Sequence, residues 1–232
     1  MRDSTFRRVS ALALASALVG WSFAGPRVPA SWRVPVQAGL GGLLVLVTRA
    51  PLGLTPPRLW AGLRLGSAAA AVAATVVAAT TSVRRVRLSM SARELSTSAP
   101  VWLALQIPLG TVWAEETAFR GALATAGTAA FGPTAGRMLQ AAAFGLSHIA
   151  DARANGEPVA ATVLATGIAG WLFGWFADRS GSLVAPMLAH LMINETAAAA
   201  VLTIQRRSRG RFMRSAPTAR RSSPPPPPAG LR

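Results

Sequence analysis

Six side chains of this 232-residue chain combine proton-transfer or hydrogen-bonding chemistry with a place inside long apolar runs: Glu115, Glu116, Arg120, His148, His190 and Asn194. An ionisable group at membrane depth costs at least about 2.5 kcal/mol to insert, so it marks function by default. His148 and His190 are the only histidines, and both lie in hydrophobic stretches. Carboxylates and imidazoles are the usual proton-transfer groups, and a carboxylate deprived of water becomes a stronger base. Their spacing is equally informative. Glu116 and Arg120 are four residues apart, one turn along a helix face, with the acid on the favoured N-terminal side. His190 and Asn194 share a face in the same way. One glutamate and two histidines are also a ligand set that zinc accepts, although no H-E-x-x-H occurs and the histidines come from separate runs. Cysteine and tyrosine are absent, which excludes disulfides, thiolate chemistry and a phenolic acid.

The elements that must position these groups are apolar. Hydrophobic residues make up 51% of the chain and charged ones 14%, with a mean hydropathy of +0.38. A soluble domain carries about 25% charged residues. The net charge of +16 would suggest a nucleic-acid partner. Its placement rejects that: all 24 cations are arginine, eight of them follow Ile204, and most of the others flank uncharged runs. The fold expected is all-α, a polytopic membrane bundle of about seven helices around a polar intramembrane cavity. The runs are Val9–Pro26, Val34–Thr48, Leu65–Val83, Leu95–Ala114 (interrupted by Pro108), Met138–Ala150, Pro158–Ala177 and Ser180–Gln205. Val9–Pro26 follows Arg7-Arg8 as a signal peptide would, but no clear small-x-small cleavage site follows it and six more runs do. Residues 206–232 are basic and contain Pro224–Pro228, a composition expected to stay disordered.

Depth follows from the turns. Glu115 precedes the Phe131–Gly136 turn by about 15 residues and His148 follows it by about 12. His190 and Asn194 lie about 8 to 12 residues beyond the Asp178–Ser182 turn, two spans away and so on the same face. All four groups fall roughly 12–22 Å from that face and can converge on one cavity. The Arg84–Arg93 loop and the tail are four spans apart, so they share the other face, which the positive-inside rule makes cytoplasmic. Arg2, Arg7 and Arg8 then lie outside if all seven runs cross. Either the second run does not cross fully or the N-terminus faces out.

The residues fall into three motifs: Glu115-Glu116-Thr-Ala-Phe-Arg120 followed by Gly121 (E-E-x-x-x-R), Phe144-Gly-Leu-Ser-His148 (F-x-x-x-H) and His190-Leu-Met-Ile-Asn194 (H-x-x-x-N). In that order they resemble the motifs of the CPBP family, the type II CAAX prenyl endopeptidases and bacteriocin-processing or immunity proteins. The resemblance covers about Leu95 to Ile204, so the chain divides into N-terminal helices (1–94), a catalytic core (95–205) and the tail (206–232). It implies an intramembrane, metal-independent glutamic peptidase without a cofactor. Glu115 would activate the attacking water, His148 would hold it, and His190 and Asn194 would donate to the developing oxyanion. Glu116 and Arg120 would orient the site, and Phe144 would shape the cavity. The implied partners are membrane lipid and a membrane-associated peptide or protein, CAAX-like or lipidated.

Taken singly, each residue has an ordinary role: Glu116 with Arg120 as a self-satisfied pair, His148 as a hydrogen-bonded core histidine, Asn194 as interhelical glue. Phe144 alone reads as packing, the tryptophans as interfacial anchors, and Asp151, Glu157, Asp178 and Arg179 as solvated loop charges. Two other readings keep the same cluster: a zinc-dependent membrane endopeptidase, and a non-catalytic scaffold, chaperone or immunity protein. Short loops and a single cluster give a small-molecule transporter little support. The alanine- and arginine-rich composition points to a GC-rich bacterial source, and hence to a plasma membrane.

Overall fold

In lipid every backbone polar group must be satisfied within the chain, so uncharged runs rich in alanine and leucine wind as helices. The computed structural model describes residues 2–93 and 97–215, with side chains for 3–93 and 97–208, and every described element is helical. In order these are α1 (Arg2–Ala24), α2 (Ala30–Thr48), α3 (Arg58–Thr80) and the short, arginine-rich α4 (Arg84–Ala92). A long rod follows: α5 (Ala99–Val101), π1 (Trp102–Trp113), π2 (Glu116–Leu123) and α6 (Ala124–Phe131). Then come α7 (Pro133–Ser147), α8 (Ile149–Ala154), α9 (Val159–Ser180) and α10 (Val184–Ser215).

Five helices are long and apolar enough to cross a membrane: those over Asp3–Arg27, Ala30–Thr48, Arg58–Thr80, Val159–Ser180 and Val184–Ser208. They correspond to five of the seven expected crossings. The run Met138–Ala150 becomes α7, whose 15 residues give about 22 Å at 1.5 Å each. That is short of a hydrocarbon core of about 30 Å. The run Leu95–Ala114 becomes the first part of the rod, and Pro108 does not end it. The wider π winding, with bonds from i to i+5, is one adjustment by which a membrane helix carries a proline. The boundary drawn between residues 94 and 95 lies outside the described residues.

Helices in lipid associate through close backbone approach at small residues, because apolar burial alone gains nothing there. Gly62, Gly66 and Ala70 form such a stripe on α3, and a Cβ added to Gly66 would lie 2.9 Å from the Ala185 Cα of α10. Between α7 and α9, a Cβ on Gly145 would meet the Val163 carbonyl oxygen at 2.6 Å. Gly41 of α2 lies flush against Thr117 and Ala114 of the rod. The N-terminal helices complete the same core: Ala15 of α1 packs with Ala118, Phe119, Leu123, Ala143 and Phe144.

Both ends of the bundle are tied. At one, Leu183 N–H donates to the Leu52 carbonyl (3.0 Å), and Arg137 after the α6–α7 turn pairs with Asp178 (2.8 Å). Gly53 there has φ +62° and lies against the Gly181 carbonyl, a conformation and a proximity that a side chain would not permit. At the other end, Gln205 Nε2 donates to the Arg93 carbonyl at 2.7 Å. The Arg84–Arg93 stretch and the end of the last span therefore share one end, as their spacing requires. α10 continues to Ser215, past Arg206 where the disordered tail was expected to start. Arginine is a good helix former, and no proline intervenes before residue 216. Residues 216–232, with Pro224–Pro228, lie outside the described residues.

Candidate active site

The centre of the bundle is π2, in which all eight residues from Glu116 to Leu123 are buried. A helix buried all round has protein on every side, here α1, α2, α7 and α9, with α10 reaching it through His190. π-wound turns recur at functional sites. Glu116 and Arg120, one turn apart on π2, pair at 3.3 Å with both side chains fully buried. Glu115 precedes π2 and turns to a more open side, its side chain 30% exposed.

His190 projects from α10 between the two glutamates. Its Nδ1 is 2.8 Å from Glu116 Oε1, and its Nε2 is 3.9 Å from Glu115 Oε2. A carboxylate only accepts, so Nδ1 carries the proton donated to Glu116 and Nε2 faces Glu115. At 3.9 Å there is no hydrogen bond, and Glu115 Oε2 has no protein partner among the described residues. Phe173 of α9 stacks on the His190 ring, with centroids 5.2 Å apart. The Arg120 guanidinium lies against two rings, 3.9 Å from the Phe144 centroid and 5.0 Å from that of Phe173. Cation–π contact in a dry site contributes about 2 kcal/mol. It offsets part of the cost of burying a guanidinium whose nitrogens make no aligned hydrogen bond among the described residues.

His148 sits at the junction of α7 and α8 with φ −88° and ψ 0°, a sparsely populated conformation where active-site residues recur. Its Nδ1 donates to the Phe144 carbonyl at 2.8 Å, which leaves Nε2 outside that bond. Phe144 packs its ring edge-on to both histidines, at 4.7 Å from His148 and 6.2 Å from His190. Asn194 uses one amide proton on the His190 carbonyl, at 3.1 Å, and keeps the other.

The fold thus gathers Glu115, Glu116, Arg120 and His190 into direct contact around Phe144, with His148 across the ring and Asn194 one turn beyond His190. Two neighbours had no motif to announce them. Phe173 is one apolar residue among many in its run. Gln140, fully buried on α7, is an uncharged polar group inside an apolar run, a weaker form of the signal that marked the histidines. Two ordinary readings change as well. Asp178 is paired with Arg137 instead of merely solvated, and Trp113 donates to the Ala38 carbonyl of α2 at 3.2 Å, an interhelical tie. The two nitrogens of His190 face different carboxylates, His148 turns its Nδ1 to a carbonyl, and no three His, Asp or Glu among the described residues converge as ligands.

Residues 97–196 match the family described as type II CAAX prenyl endopeptidase Rce1-like. This is consistent with the CPBP family, and all three motifs lie inside the matched segment. It is a protease family, which supports an endopeptidase, and the five apolar helices make the chain an integral membrane protein. No curated protein and no solved structure matches the chain.

Proposed function

We propose that the protein is a metal-independent glutamic endopeptidase that hydrolyses a peptide bond of a membrane-associated substrate within the bilayer. The observation that carries this reading is His190 held between two glutamates, fixed by Glu116 at 2.8 Å and facing Glu115 at 3.9 Å, whose Oε2 accepts no hydrogen bond among the described residues. Glu115 takes a proton from a water that also hydrogen-bonds the open Nε2 of His148. The resulting hydroxide adds to the substrate carbonyl carbon. His190, held from behind by Glu116, and the spare amide proton of Asn194 meet the oxyanion. As the tetrahedral adduct collapses, the C–N bond breaks, the amine leaves with the proton held by Glu115, and the carboxylate is restored. Arg120 pairs with Glu116 at 3.3 Å and holds its carboxylate against His190.

The substrate class is a lipidated or CAAX-like peptide end, in keeping with the matched family. The membrane is a bacterial plasma membrane, with the arginine-rich end of the bundle and the C-terminal tail in the cytoplasm. Peptides that accumulate when the gene is deleted identify the substrate, and the purified protein is then assayed on it in liposomes. Glu115→Ala and His148→Ala should each lower turnover by about 10²–10⁴. Full activity in both variants overturns the hydrolase and leaves a non-catalytic scaffold or immunity role. Chelators should leave the parent's rate unchanged; stoichiometric zinc lost together with activity would replace this mechanism.

A further inference from the structure

Gln140 is buried completely, one turn before Phe144 on α7, and the mechanism above leaves it unused. Its amide nitrogen donates to the Gly170 carbonyl of α9 at 2.9 Å and to the Arg137 carbonyl at 3.1 Å. Exchanging the amide oxygen and nitrogen would set one oxygen against two others, so the orientation is fixed by the network. Oε1 is thereby aimed away from both carbonyls, and it has no partner among the described residues. The Arg120 nitrogens lack hydrogen-bond partners in the same way.

These two side chains line one cavity of about 20 Å³, walled by Ala124, Thr128 and Gly174 and reaching the Arg137–Asp178 pair at the bundle end. That volume holds one water molecule. The polarity of its walls is equally selective. Arg120 repels a cation, and Gln140 Oε1 repels an anion. A water can donate to Oε1 and accept from the guanidinium at once.

We propose that Gln140 and Arg120 hold a buried water between them, and that Gln140 is a positioning residue acting through that water. The water fixes the guanidinium, the guanidinium holds Glu116, and Glu116 holds His190. The cavity opens towards the half-exposed Arg137–Asp178 pair, so the water is replenished from the membrane face. The kinetic part of this inference rests on the hydrolase reading; the water itself does not.

The first test is a structure of the full chain at a resolution that shows ordered water. A peak within hydrogen-bond distance of both Gln140 Oε1 and Arg120 is expected; a dry cavity, an anion, or a side chain repacked into the space overturns the proposal. The second is kinetic. Gln140→Met keeps length and removes the acceptor, and should lower kcat about tenfold with KM unchanged. It should also shift the pH profile, because His190 loses part of its support. Ala143→Gly, a buried apolar change on the same helix, should leave the pH profile alone. A Met variant with the parent's kcat and pH profile overturns the positioning role. If the parent hydrolyses nothing, or the Met variant does not fold, the peak in the parent structure decides.

Discussion

Glu115 and Glu116 are adjacent in the chain and have opposite surroundings. Glu116 is sealed, with Arg120 at 3.3 Å and His190 at 2.8 Å, whereas Glu115 is partly exposed with one oxygen unpartnered. Removing the partner of one and the charge of the other should therefore fail differently. Arg120→Leu strands a buried carboxylate and should destabilise the fold by about 3–5 kcal/mol, read as a large drop in thermal unfolding temperature in detergent. Glu115→Gln keeps the side chain's shape and removes only the 3.9 Å charge contact with His190, so it should melt close to the parent while losing activity. Equal melting losses in the two would show that both glutamates are structural. The residue types and order of the motifs made this cluster legible in the sequence. The division of labour was not, since two neighbouring glutamates differ only in what the bundle packs against them.

At the scale of elements, the charge-free runs marked the helices well, because lipid leaves an uncharged segment little else to form. Two features escaped. Pro108 reads as an interruption, yet π winding carries the rod through it. Met138–Ala150 reads as a crossing, yet α7 begins at Pro133 and closes before His148 after 15 residues. Helix contact in this bundle depends on small residues, and that is open to measurement. Gly66→Val forces α3 away from α10 and should cost about 1–3 kcal/mol. Gly39→Ala, where a Cβ meets nothing within 4 Å, should be neutral or stabilising by about 0.5–1 kcal/mol. Indistinguishable unfolding temperatures for the two variants would contradict the close α3–α10 contact.

At the scale of the molecule, the arginines separate by place. Gln205 ties the last span to the Arg93 carbonyl and so gathers the Arg84–Arg93 stretch and the end of α10 at one end, while the Arg137–Asp178 pair and the Leu52–Leu183 bond tie the other. α2 is itself long enough to cross, which leaves Arg7 and Arg8 at the opposite end from the Arg84–Arg93 stretch. The chain contains no cysteine, so single introduced cysteines report topology cleanly. Arg85→Cys and Arg206→Cys should label with a membrane-impermeant thiol reagent from one side, and Ala135→Cys and Arg179→Cys from the other. Labelling of positions 85 and 206 from opposite sides would break the arrangement. The sequence by itself determined the class of protein, most of the helices and which polar groups lie inside the apolar runs, because the cost of placing charge in lipid is local and can be read residue by residue. Only the tertiary structure decided which glutamate is sealed, that His190 stands between the pair, and that Phe173 stacks on the His190 ring. Those facts depend on approach between helices far apart in the chain, set by glycines whose partners no local pattern names.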